Sequence, residues 1–165
     1  MFRLLIHKEA QPWKPTEREI SMLKQAFDLP NSTLRIIPRR LIPQFHPQTT
    51  DPFAYEFRAF TRGPNSYVFV DGTENPHSIA WLMAHELCHV EIGENDYLRE
   101  KFDSLSPPGL DPRSDKFHEL DPEEKVCDQR ANNLFGTRFD RFWWRNEVNK
   151  FKKKNRHRGK WQLRR

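Results

Sequence analysis

The stretch "WLMAHELCHVEIG", Trp81–Gly93, is apolar along most of its length yet carries two histidines and a glutamate. On a helical wheel His89 falls about 40° and Glu86 about 100° from His85, so all three share one arc. Nearly everything else between Ile79 and Ile92 is apolar: Ile79, Ala80, Trp81, Leu82, Met83, Ala84, Leu87, Cys88 and Val90. A helix apolar almost all round is a buried one. Polar groups carried into such a core need partners, because an unpaired buried charge costs several kcal/mol.

A metal ion meets that requirement. His-Glu-x-x-His sets two imidazoles one turn apart, where both reach a single Zn²⁺ at ~2.0–2.1 Å. Glu86 then lies beside the metal, placed to take a proton from a zinc-bound water. The expectation is one Zn²⁺ per chain, held by His85 and His89, with Glu86 as the catalytic group.

The rest of the chain frames this helix. At 165 residues it is long enough for one domain with a real core. Its apolar runs fall short of the ~20 residues of a membrane span, so no membrane partner is expected. The opening "MFRLLIHKEAQPW" lacks the marks of a secretion signal. Two cysteines, Cys88 and Cys127, are too few for a disulfide scaffold, and a reduced, cytoplasmic setting is expected. They adjoin His89 and Asp128, so the two helices can bring them together. The expected consequence is buried packing, with redox control of the site as the alternative.

"PTEREISMLKQAFDLP" has helical periodicity, with Thr16 as its cap and Pro30 beyond its end. "TLRIIPRRLI" reads as a strand broken or bent at Pro38, and Pro43, Pro47 and Pro52 make an irregular loop. "AYEFRAF" and "SYVFVDG" flank "TRGPN", a hairpin with a five-residue connection. The His-bearing helix enters near Asn75-Pro76 and stops at Gly93. "DPEEKVCDQRANNLFG" opens with a strong helix start and ends at Gly136. Strands followed by helices predict an α+β fold.

A catalytic zinc takes a third protein ligand and leaves one position open. Four kinds of candidate stand open here. His118 would serve as the later histidine does in SprT-like metalloproteases. Asp96 and Glu123 are further possibilities. The pattern of Glu124, Cys127, Asp128 and Ala131 resembles the Glu-x-x-Ala-Asp/Asn-x-x-Ala stretch of gluzincins. In that family the Glu is the third ligand and the Asp or Asn supports a ligating histidine. Against it, Asp121-Pro122-Glu123-Glu124 reads equally as a capping box favoured by the helix dipole, with no metal at all.

Over Thr16–Gly136 the element order resembles the ImmA/IrrE type, small cytosolic metallopeptidase domains. The chain departs from that pattern at Cys127, usually Ala, and at Arg130, often aromatic. The resemblance implies a minimal zincin-like domain over 1–142, its short, mostly antiparallel sheet packed on an active-site helix and a second ligand-bearing helix. It further implies a zinc peptidase acting on a protein or peptide substrate, with Glu86 catalytic, His85, His89 and Glu124 on the metal, and Asp128 in support. Tyr97 and His118 are the candidates for oxyanion donation. The strand "SYVFV" resembles the edge strand along which zincins hold an extended peptide, though it reads equally as a plain core strand.

The C-terminal segment has another character. Thr137–Arg165 holds 12 Lys/Arg against 2 Asp/Glu, leaving the first 136 residues with 16 basic and 21 acidic. Residues 143–165 thus form a basic tail interleaved with Trp143, Trp144, Phe151 and Trp161. Such a tail suits nucleic acid or an acidic partner, or a solvated terminus. The alternative function is therefore a nucleic-acid- or acidic-partner-binding protein with a structural or inactive zincin core. Retention of Glu86 favours the enzyme.

Overall fold

The computed structural model describes residues 15–41, 44, 59–70, 76–112 and 114–137. The proline-rich stretch around Pro47 and Pro52, the 142/143 boundary and the basic tail lie outside the described residues.

Helix α1, Glu17–Ala26, starts where the sequence places it. The Thr16 hydroxyl accepts from the Glu19 amide at 3.1 Å, and the Glu19 carboxylate accepts from the Thr16 amide at 2.9 Å. This reciprocal box satisfies two amides that the first turn would otherwise leave unpaired. Leu23 and Phe27 then turn into the core.

Three strands follow: β1 (Thr33–Pro38), β2 (Ala59–Arg62) and β3 (Asn65–Val70), in the order β1-β3-β2. The strand expected to bend at Pro38 ends there and passes into a 3₁₀ turn, Arg39–Leu41. Proline has no N–H with which to extend the ladder. The hairpin is present, but its connection is two residues, Gly63-Pro64, rather than five, with Arg62 opposite Asn65. Gly63 sits at φ +59°, a left-handed value that permits the tighter reversal. Thr61 thereby becomes a strand residue opposite Ser66. The hairpin ladder is antiparallel and the β1–β3 ladder is parallel, so the sheet is mixed.

Strand alternation divides the sheet into two faces. Leu34, Val68 and Val70 join the main core against the helices, with Ala59 packed beside them. Ile37 and Phe69 form a second cluster with Phe60 and Tyr67. Helix α2, Pro76–Gly93, lies on the first face and is buried on nearly every side, as its sequence requires. It is the central element of the core.

Three helices complete the domain: α3 (Asp96–Leu105), α4 (Asp115–Leu120) and α5 (Pro122–Phe135). Asn95 caps α3 and Ser114 caps α4. Helix α5 carries Asp121 as its cap, Pro122 in its first turn and Gly136 at φ 65° as its left-handed stop. It packs against α2 through Cys127 and Ala131, both fully buried. The architecture is α+β, and no helix among the described residues is long and apolar enough to cross a membrane.

Thr16→Ala removes one partner of the box and is expected to lower the unfolding free energy by about 1 kcal/mol. Urea denaturation checks this: the midpoint should fall with the slope unchanged.

Candidate metal centre

Two turns of α2 and the first turns of α5 build the site. His85 and His89 stack one helical turn apart, their rings 4.9 Å between centroids and inclined at 73°. Their Nε2 atoms are 3.1 Å apart. Glu124 faces them from α5, with Oε2 2.9 Å from His85 Nε2 and Oε1 3.4 Å from His89 Nε2. A four-coordinate ion with bonds of ~2.0–2.1 Å spaces its donors about 3.3 Å apart by tetrahedral geometry. The His85–His89 separation lies close to that value, and each imidazole has one Glu124 oxygen at a similar distance. His85, His89 and Glu124 could therefore hold one metal ion between them.

The opposite edge of each imidazole is also held by acid. Asp128 Oδ1 lies 2.8 Å from His85 Nδ1, and Glu123 Oε1 lies 2.9 Å from His89 Nδ1. The Glu123 contact is a well-formed hydrogen bond, whereas the Asp128 contact is short but poorly aligned. A carboxylate accepts, so a ring that keeps its proton on Nδ1, toward Asp128 or Glu123, would when neutral offer its Nε2 lone pair inward. Two lone pairs facing one another at 3.1 Å repel unless a cation lies between them. Protons donated to Glu124 meet that need in one form, and a divalent ion meets it in the other.

Arg99, on α3, fastens the outer layer. Its Nη1 donates to Glu123 Oε1 at 2.9 Å, its Nη2 to Glu123 Oε2, and its Nε to Asp103 at 2.9 Å. Burial pushes Glu123 up, but hydrogen bonds from His89 and Arg99 outweigh it and hold the carboxyl at about 2. Burial acts on Glu124 in the same direction, yet the two imidazoles keep it well below the usual carboxylate range. His85 shows the converse: burial pulls it down, while Asp128 and Glu124 lift it to about 10. His89 likewise stands well above its ordinary value, against burial, through Glu124 and Glu123.

Glu86 is 5% exposed and turns toward the sheet. Thr61 Oγ1, on β2, donates to Glu86 Oε2 at 2.6 Å. The Glu86 charge is also felt at His89. His118 lies at the margin, with Nδ1 3.0 Å from the Ser114 carbonyl and Nε2 3.5 Å from Glu124 Oε1. Tyr97 is 73% exposed on α3, and Asp96 is exposed in the same turn. The rival capping role goes to other residues. Asp121 accepts from the Glu123 amide at 3.4 Å, which leaves Glu124 for the imidazoles. Cys88 and Cys127, buried and reduced, contact one another between α2 and α5.

Two contributors, Arg99 and Thr61, were not legible as site residues, and Glu123 was legible only in another role. Arg99 sits on α3, whose signal was an Asn95 cap before Leu98 and Phe102 at helical spacing. Glu123, weighed above as a third ligand, lies instead against His89 Nδ1, on the ring edge away from Glu124. Thr61 carries no local signal, because the register of the hairpin alone brings it to Glu86. No protein-family model, curated protein or solved structure matches this chain.

These shifts make the metal-free protein pH-sensitive. His85 is raised from 6.5 to about 10, so its contribution to stability is complete below 6.5 and is lost as pH rises through 10. Glu123 is lowered from 4.5 to about 2, so its contribution is present above 4.5 and is lost as pH falls through 2. Chelator-treated protein should therefore lose stability between pH 7 and 10, a slope that His85→Ala reduces, His89 contributing the remainder. Affinity for a divalent ion should instead rise over that range, because the ion displaces imidazole protons. Urea midpoints and metal titrations across pH check both trends.

Proposed function

We propose that the chain is a zinc-dependent peptidase of the gluzincin kind, nearest in pattern to the ImmA/IrrE-like family. One observation carries the reading. Two imidazole Nε2 atoms and the Glu124 carboxylate converge at metal-ligand spacing, with a buried glutamate, Glu86, near enough for its charge to act on His89. A structural zinc site has four protein ligands, whereas three with a neighbouring carboxylate is the catalytic pattern.

Zinc held there supplies Lewis acidity, polarising a carbonyl and making water a better nucleophile near neutral pH. The chain's residues do the rest. Asp128 and Glu123 fix the two rings in the tautomer that offers Nε2. Glu86 takes the proton of the attacking water and delivers it to the departing amine. His118, with Nδ1 donating to the Ser114 carbonyl, has Nε2 on the side of Glu124 and would meet a developing oxyanion there as the imidazolium, which alone carries a second N–H. The strand "SYVFV" is β3, paired on both sides, so it cannot take up a peptide along its length. Among the described residues the edge strand beside α2 is β2, Ala59–Arg62, and an extended substrate would pair there.

The basic segment 143–165 favours a second, separable role, binding of an acidic partner or nucleic acid.

Glu86→Gln tests the mechanism. With labelled unfolded protein as substrate, kcat should fall by about 10²–10⁴-fold. Bound zinc and thermal stability should stay at wild-type levels. Cleavage at an undiminished rate removes Glu86 from the chemistry.

A further inference from the structure

We propose that Ser66 and Thr61 form a hydrogen-bond relay that runs from the sheet to Glu86 and sets the orientation of its carboxylate, a positioning role that rests on the hydrolytic reading above. The relay begins in the hairpin register. Thr61 and Ser66 are cross-strand partners, so their side chains leave the same face of the sheet. That face is the one covered by α2. Ser66 is fully buried, and its Oγ lies 3.1 Å from Thr61 Oγ1. Thr61 Oγ1 in turn lies 2.6 Å from Glu86 Oε2 and 3.1 Å from the Glu86 carbonyl oxygen.

Counting protons gives the relay its direction. The ionised carboxylate that a general base requires can only accept. A distance of 2.6 Å is that of a charge-assisted O–H···O⁻ bond, so the single Thr61 proton goes chiefly to Oε2. Thr61 then has no proton for Ser66, and Ser66 must be the donor of their shared contact. Each hydroxyl polarises the next, and the chain ends on the carboxylate.

The consequence is an asymmetric glutamate. Oε2 is tied to the sheet at a fixed point, and Oε1 is the oxygen this relay leaves to the reaction. The terminal torsion of a free glutamate is broad and roughly two-fold, so one oxygen pinned at 2.6 Å removes most of that freedom. Thr61 also belongs to β2, one of the two edge strands among the described residues, so one residue links the strand proposed for substrate with the base. A mere packing tie between sheet and helix would need neither hydroxyl proton.

The test uses the full-length, zinc-loaded chain and the variants Thr61→Val, Thr61→Ser, Ser66→Ala and the double Thr61→Val/Ser66→Ala. Valine keeps the shape of threonine and removes only the donor. Thr61→Val should lower kcat about tenfold or more while KM stays within about twofold, since the lost interaction is a hydrogen bond to a charge. Thr61→Ser should retain most activity. Ser66→Ala should cost less, and nothing further once Thr61 is already valine, because Ser66 acts through Thr61. Carbon-13 labelling of glutamate gives a second readout: the Glu86 carboxyl resonance should shift in Thr61→Val and return in Thr61→Ser. An unshifted resonance, equal losses for valine and serine, or multiplicative losses in the double variant would overturn the relay. A wild-type chain that hydrolyses no substrate would fail the peptidase reading instead, and the carboxyl resonance would then judge the relay alone.

Discussion

Two imidazole nitrogens, His85 Nε2 and His89 Nε2, face one another at 3.1 Å with a carboxylate closing the third side. Were both nitrogens bare lone pairs they would repel, so a proton or a metal cation must lie between the rings. Everything around the pair serves that constraint. Helix α2 is apolar on its other faces, which seats the pair in the core. Helix α5 docks through Cys127 and Ala131, small enough to bring Glu124 and Asp128 within reach of the rings. Helix α3 delivers Arg99 to Glu123, which would otherwise be a partly buried carboxylate answered only by His89.

Charge counting leads to the same place. Glu86, Glu123, Glu124 and Asp128 bring four carboxylates to the site, and Arg99 supplies one fixed positive charge. Protonation of both imidazoles brings the sum close to neutral, which is why His85 and His89 stand above their ordinary values and Glu124 below its own. A divalent ion does the same work with the imidazoles neutral. A metal ion bound there would compete with the imidazole protons, so its affinity would depend on pH.

Much of this was legible in the sequence because helices announce themselves locally. His85, Glu86 and His89 follow from spacing on one buried helix, and Glu124 with Asp128 from the same spacing on another. The caps at Thr16 and Asp121 and the stops at Gly93 and Gly136 were equally plain. The losses lie where position depends on pairing. The five-residue hairpin connection tightened to Gly63-Pro64, and that change of register turned Thr61 from a loop residue into the partner of Glu86. Arg99 needed a helix that the sequence offered only through an amphipathic pattern, and its partner lies 24 residues away. Glu123 and Glu124 are adjacent in a first turn where acidic residues are common without any ligand. Only the fold separates them, one turned to the imidazole edge beside Arg99 and the other to the convergent nitrogens.

The most direct measurement is the divalent metal bound per chain, by elemental analysis of wild type and Glu124→Ala purified without added metal. The account predicts about one equivalent in the wild type and a small fraction of that in the variant, with both folded. Equal metal in the two proteins would remove Glu124 from the ligand set. A wild-type chain that binds none when zinc is supplied at neutral pH would contradict the metal centre itself.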